Sequence, residues 1–136
     1  PDSRFYVPQN VFIIGMMNTA DRSLAMIDYA LRRRFCFIEI EPAFNTQSFR
    51  KHLADSGIHV DLIEKIISRL NYLNSQIASD SNLGRGFRIG HSYFCNPSTD
   101  ENWYQSVIEY EINPLIEEYW FDNEEKAQEY MDYLLG

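Results

Sequence analysis

Four polar residues, Asn18, Thr19, Asp21 and Arg22, follow an apolar run over residues 11–14. The run contains two β-branched isoleucines and is typical of a strand buried on both faces of a parallel sheet. Ligands of open α/β sheets bind beyond the carboxyl ends of such strands, so the polar group stands where ligand chemistry is expected. The alternative is purely structural, because Asn, Thr and Asp are also common turn formers and helix caps.

Three consecutive arginines, Arg32, Arg33 and Arg34, form the second group. They close a helical pattern, and cations there interact favourably with the negative end of the helix by about 0.3–1 kcal/mol. Successive helical residues point about 100° apart, so the three cannot all serve one site. Arg32 stands four residues after Asp28, a spacing that allows a helical ion pair and favours a structural role.

The elements that position both groups form a strand–helix–strand unit. Leu24, Ile27 and Leu31 recur at helical spacing after the first strand, and residues 35–40 return to strand composition. Pro42 ends the second strand and marks a predicted boundary. We therefore predict an α/β portion over residues 1–42, followed by an all-helical domain over 43–136.

The runs MNTADRSLAMIDYALRRRF (17–35) and GFRIGHSYF (86–94) carry a family resemblance. The chain resembles the second half of an AAA+ nucleotide-hydrolysing module. Within AAA+ proteins it is most similar to the McrB family, the GTP-hydrolysing subunits of modification-dependent restriction systems. The resemblance implies the C-terminal portion of an AAA+ module, an α/β remnant plus a helical lid, mainly helical overall.

The resemblance also implies roles for the polar residues of the α/β portion. Asn18 matches the residue that touches the attacking water and the terminal phosphate, and Thr19 and Asp21 lie in the same turn. An arginine at the end of the helix reaches the phosphate of a neighbouring subunit, which can be worth about 10³–10⁵ in rate. Arg33 is favoured for this role and Arg34 is the alternative. Asp28 is expected to order these arginines.

In the lid, the resemblance places nucleotide contacts near the later helices. The candidates are Arg85, Arg88, His91 and Ser92. Of these, the last three are predicted to bind the cofactor. A histidine beside aromatic residues is also commonly a hydrogen-bonded core residue, and that alternative is open for His91. No metal site is expected, since the three histidines form no HxxxH pair.

Apolar periodicity predicts the lid helices. Thr46 is a predicted N-cap and Gly57 a predicted C-terminal stop of a first helix. A second helix is predicted over residues 60–78, an extended segment over 87–95, a helix over 101–120 interrupted at Pro114, and a final helix over 124–135. The dense aromatic residues of the last third are expected to be mostly core, and a small helical bundle should result.

Composition narrows the class of protein. Apolar residues make up 45% of the 136 residues, which favours a packed core. Residues 101–136 hold ten acidic side chains and one basic one, so this last quarter accounts for the whole formal net charge of −8, and the rest of the chain is nearly neutral. Such a surface disfavours direct DNA binding and is either a solvated face or a docking surface for a basic partner.

Cys36 and Cys95 are expected to be buried free thiols of a cytoplasmic protein, and no membrane segment is expected.

Together these observations predict one part of a larger motor. The sequence contains no GxxxxGK[ST] loop, so this chain alone is expected to be inactive and to bind no nucleotide. In the full-length protein the resemblance implies GTP with Mg²⁺ (ATP is possible), a hexameric ring, an McrC-like nuclease partner and DNA binding through another domain. In isolation, unpaired strands should make the chain dimerise or swap. The competing hypotheses are a non-catalytic helical adaptor and an AAA+ ATPase of another defence or remodelling system.

Overall fold

A computed structural model describes residues 6–17 and 33–136, and this part of the chain is mainly helical. Two 3₁₀ turns, Arg85–Phe87 and His91–Phe94, connect the second and third helices, and a π-helical turn, Ile108–Ile112, joins the third to the fourth. The α-helices of the described residues are α1 (Gln47–Asp55), α2 (Val60–Ser79), α3 (Trp103–Val107), α4 (Asn113–Tyr119) and α5 (Glu124–Leu135).

Local capping signals set the bounds of α1, as the sequence predicts. The Thr46 hydroxyl accepts a hydrogen bond from the Phe49 amide at 3.2 Å, which satisfies one free N–H of the first turn. Gly57 follows the helix with a φ of 87°, a left-handed conformation that glycine adopts without a steric penalty. Phe49 and Leu53 face the core, so both predicted caps and the predicted apolar face are confirmed.

The longest helix, α2, carries the centre of the core. Its apolar residues recur every three or four positions and therefore lie on one face, which packs against α1 and α5. Each of the six residues predicted to form this stripe is buried. They are Ile63, Ile66, Ile67, Leu70, Leu73 and Ile77.

The extended segment predicted over residues 87–95 forms only in part, because a 3₁₀ turn over His91–Phe94 interrupts it, while residues 88–90 form no helix and Gly90 has extended backbone angles. The reason lies on α2. The buried side chain of Asn74 donates to the Ile89 carbonyl at 2.9 Å and accepts from the Ile89 amide at 2.6 Å. These two bonds satisfy the backbone of Ile89 as a neighbouring strand would, so the segment needs no strand partner.

The helix predicted over 101–120 is interrupted as expected, and Pro114 explains the interruption. Proline has no N–H to donate to the carbonyl four residues before it. The π-helical turn absorbs this defect, since the Asn113 amide donates to the Ile108 carbonyl, five residues back. A new helix, α4, then begins at Asn113 with Pro114 in its first turn.

The final helix, α5, has the predicted bounds and the predicted buried residues. The aromatic residues around it are only partly core. Trp103, Tyr104 and Trp120 are buried, whereas Tyr110 and Phe121 are 77% and 80% exposed. The expectation of a mostly buried aromatic set therefore holds for the first three and fails for the last two.

The strands predicted over 11–14 and 35–40 are not formed in the described residues. The burial predicted for the run 11–14 is also wrong, since Phe12 and Ile14 are 90% and 93% exposed, and Ile40 of the second run is 88% exposed. A strand is held by hydrogen bonds to neighbouring strands, and the described residues provide none. Cys36 lies on this exposed segment and Cys95 is partly buried, so both thiols are free but neither is buried as predicted.

Candidate functional site

Four of the predicted site residues, Asn18, Thr19, Asp21 and Asp28, lie outside the described residues. The two arginines proposed to reach a neighbouring subunit lie within them. Arg33 and Arg34 occupy a turn on the segment that leads into the lid, and both are exposed. Their long, charged side chains are therefore on the surface of the molecule.

The junction between this segment and the lid is formed by Arg88. Its guanidinium group lies 3.3 Å from the carboxylate of Glu39 and 3.5 Å from that of Glu41. The same side chain donates through Nε to the Arg85 carbonyl at 3.0 Å. Only 17% of the Arg88 side chain is exposed, so its charge is shared between two acids at a largely buried position. The contact ties the end of the predicted α/β portion to the lid.

A second contact at this junction comes from His91, whose partner Ala43 is the first residue of the predicted helical domain. The Ala43 amide donates to His91 Nδ1 at 3.1 Å, so the neutral ring carries its proton on Nε2. The ring packs edge-on against Phe44 and Phe49, with centroids 6.4 Å and 5.9 Å away. His91 thus has the surroundings of a hydrogen-bonded core residue, with Nδ1 already engaged.

Ser92 follows His91 in sequence but faces a different region. It lines a cavity of about 570 Å³ together with Tyr93, Trp103, Tyr110 and residues of the π-helical turn. The structure therefore brings Arg88 and His91 together at one junction, with Glu39, Glu41 and Ala43 opposite them. It places Ser92 at a separate opening.

A polar cluster that the sequence did not predict surrounds Asp80, at the end of α2. Its carboxylate accepts from Lys126 Nζ at 2.9 Å, from the Trp120 indole at 3.0 Å and from the Asn82 amide at 2.9 Å. These three hydrogen bonds hold the pKa of the Asp80 carboxyl far below its usual range. An acid at a helix C-terminus is unfavourable alone, and the Lys126 charge compensates for it.

A second group of cations from α2 supports the end of α5. Lys65 Nζ donates to the Leu135 carbonyl at 3.3 Å, and the Arg69 guanidinium donates to the Tyr133 carbonyl. The buried Tyr104 hydroxyl donates to the Leu134 carbonyl at 2.6 Å. Carbonyls of the last helical turn have no partner within their own helix, so these donors satisfy them. Burial raises the pKa of Tyr104 to about 12.

No group of three or more His, Cys, Asp and Glu side chains is arranged to hold a metal ion in residues 6–17 and 33–136. Within the same ranges, the helices are too short or too polar to cross a bilayer.

Comparison with known proteins places the lid. Residues 65–128 match the family model of the McrB alpha-helical lid domain. The chain is also 50% identical, over 141 aligned positions, to the type IV methyl-directed restriction enzyme EcoKMcrB subunit of Escherichia coli (strain K12). That alignment covers 99% of this chain and 31% of the relative, so the chain spans about a third of the relative's length. The identity across nearly the whole chain and the match to the lid model show that the chain belongs to the McrB family, and that residues 65–128 correspond to the lid domain of that family.

Proposed function

We propose that this chain supplies the lid and the trailing half of the nucleotide-binding core of a GTP-hydrolysing motor subunit. The motor would belong to a restriction system that acts on modified DNA. The observation that carries the proposal is the 50% identity to the EcoKMcrB subunit, because it extends over the lid and over residues 17–35 alike. The preference for GTP over ATP is taken from this family relationship.

In this proposal the catalytic residues act by position and charge. Phosphoryl transfer needs a water held in line and a stabilised negative charge, and it needs no covalent attack by the protein. Asn18 would position the water beside the terminal phosphate, with Asp21 and Thr19 ordering the same turn. Arg33, or Arg34 in its place, would reach the phosphate bound by the next subunit, with Asp28 ordering the arginine helix. Both arginines are exposed, as such a contact requires.

Residues of the junction would hold the lid in register with the core. The Arg88 contacts with Glu39 and Glu41 join the predicted α/β portion to the lid, and the His91 contact with Ala43 holds the first residue of the lid beside them. Ser92 remains a candidate for a direct nucleotide contact. In the full-length protein, bound Mg²⁺ would neutralise phosphate charge.

The motor would act as a ring, hexameric as in the family, together with an McrC-like nuclease and a separate DNA-binding domain. The exposed apolar runs 11–14 and 35–40 would pair with the rest of the parallel sheet in the full-length protein. Without those neighbours, association between exposed strand edges is expected.

The test is nucleotide hydrolysis by the full-length protein with its nuclease partner, measured with GTP and with ATP. Asn18→Ala and Arg33→Ala should each lower the rate by about 10³-fold or more, whereas Arg50→Ala on α1 should leave it unchanged. A wild-type rate that is higher with ATP would favour an ATPase of another system. If both variants hydrolyse normally but no longer bind the partner, the chain is a docking adaptor.

A further inference from the structure

A groove runs along the C-terminal end of the lid, where α4 passes into α5. It has a volume of about 410 Å³, and its lining residues recur every three or four positions across the turn between the helices. Its floor is formed by Trp120, Ala127 and Met131, which are 4%, 3% and 8% exposed. We refer to this feature, lined also by Glu117, Phe121, Glu124 and Gln128, as the C-terminal groove.

Hydrogen bonds and packing contacts with the rest of the lid hold the floor of the C-terminal groove in place. The Trp120 indole is held by its hydrogen bond to Asp80, and the Trp120 ring packs on Tyr130 with centroids 4.6 Å apart. Ala127 and Met131 lie on α5, which Asn123 caps through a 3.1 Å bond to the Lys126 amide. A groove held in this way does not have to be ordered on binding, which lowers the entropic cost of docking a ligand.

One wall of the groove is a large apolar side chain that the lid itself does not bury. Phe121 is 80% exposed although it stands beside a well-packed core. Exposed aromatic residues next to a concave apolar floor are typical of protein interaction sites, where they anchor the partner.

The rim of the groove is acidic. Glu117 and Glu124 line it, and their sequence neighbours Glu118 and Glu125 are exposed as well. The single base of residues 101–136, Lys126, does not balance them, because its ammonium group is bound by Asp80 at 2.9 Å. The outward charge around the groove is therefore almost purely negative. It disfavours DNA and anionic membranes and favours a cationic ligand.

We infer that the C-terminal groove docks a basic segment of a partner protein, with an apolar side chain of the segment on the groove floor and flanking Lys or Arg residues on the rim. This docking role is separate from the proposed nucleotide chemistry, since the groove contains none of the residues assigned to the motor. It would be retained by a protein whose hydrolysis is abolished.

The experiment measures binding of a fluorescein-labelled peptide to the full-length protein by anisotropy. In the peptide, a central Leu-Phe pair is flanked by Lys and Arg. Phe121→Ala should weaken binding about tenfold, because it removes the anchoring wall without touching the core. Glu117→Lys should weaken binding by a similar factor, and the loss should shrink as salt rises. Asp55→Lys makes the same charge change on α1 and should have no effect.

A second peptide, with Ala in place of Leu-Phe, separates groove binding from simple charge attraction. It should bind at least tenfold more weakly than the first. The inference is overturned if both peptides bind equally, if the wild-type protein binds neither, or if duplex DNA binds and Phe121→Ala weakens that binding. It is also overturned if Phe121→Ala breaks up the oligomer in sedimentation experiments, since a second copy would then cover the groove.

Discussion

The ammonium group of Lys126 lies 2.9 Å from the carboxylate of Asp80, a residue 46 positions earlier in the sequence, and so joins α5 to the end of α2. Asp80 ends α2 and Lys126 stands in the first turn of α5. The Trp120 indole binds the same carboxylate oxygen, and the Lys126 ammonium lies 5.0 Å from the centre of the Trp120 ring. The cluster therefore fixes the last third of the lid onto the central helix.

Replacement of this carboxylate should destabilise the lid in a pH-dependent way. Asp80→Asn should cost about 1–3 kcal/mol at pH 7, because two charge-assisted hydrogen bonds are lost or weakened. The folded state lowers the pKa of Asp80, so its contribution is present above the unfolded pKa of about 4 and is lost as the pH falls further. Urea unfolding followed by tryptophan fluorescence should show a smaller difference from wild type at pH 3 than at pH 7. Asp55→Asn serves as the exposed control, and a difference for Asp80→Asn that is equal at both pH values would contradict the assignment.

The opposite pH dependence is expected for Tyr104. Burial raises its pKa to about 12, so the folded state keeps a proton that the unfolded chain loses near pH 10. Its contribution to stability is complete below about pH 10 and declines as the pH rises toward 12. Tyr104→Phe should be destabilising by about 1 kcal/mol at pH 7, since the Leu134 carbonyl loses its 2.6 Å bond. At pH 11 this difference should be reduced. A loss of stability from pH 9 to 11 that is as steep in Tyr104→Phe as in wild type would speak against this role.

The His91 side chain should slow the hydrogen exchange of one amide at the junction, that of Ala43. His91→Ala removes the acceptor of the Ala43 N–H and the edge-on contacts with Phe44 and Phe49. Hydrogen exchange of the Ala43 amide should accelerate roughly tenfold, the equivalent of one lost buried hydrogen bond. His52→Ala is the matched control, because His52 binds the Cys95 carbonyl instead. Unchanged exchange at Ala43 in His91→Ala would show that the junction does not depend on this contact.

The helices that sequence predicts well are those whose signals are local. Thr46 and Gly57 mark the ends of α1, and the stripe on α2 is complete within the helix itself. The course of the chain after α2 could not be predicted, because the backbone of Ile89, between the two turns, is satisfied by Asn74 from 15 residues upstream. The polar cluster around Asp80 could not be predicted for the same reason, since its partner Lys126 is distant in sequence. The strand patterns of residues 11–14 and 35–40 specify burial only when neighbouring strands are present.

The residues of the candidate site were likewise predictable only in part. Motif resemblance pointed to Arg88 and His91, and the structure brings both to one junction, but their partners Glu39, Glu41 and Ala43 carry no motif of their own. The roles of Asn18, Asp21, Arg33 and Arg34 stay predictions, because a site shared between two subunits cannot be read from the contacts of one chain.

A mixing experiment tests most directly whether Asn18 acts on its own subunit's nucleotide while Arg33 acts on the neighbour's. Full-length Asn18→Ala and Arg33→Ala proteins are prepared separately, mixed at equal ratio under conditions that allow subunit exchange, and assayed for GTP hydrolysis. In a randomly mixed ring, about one quarter of the interfaces combine an intact Asn18 with an intact Arg33 from the next subunit. The mixture should recover about a quarter of the wild-type rate of GTP hydrolysis, although each variant alone is nearly inactive. A mixture that exchanges subunits but stays as inactive as either variant alone would contradict these roles of Asn18 and Arg33.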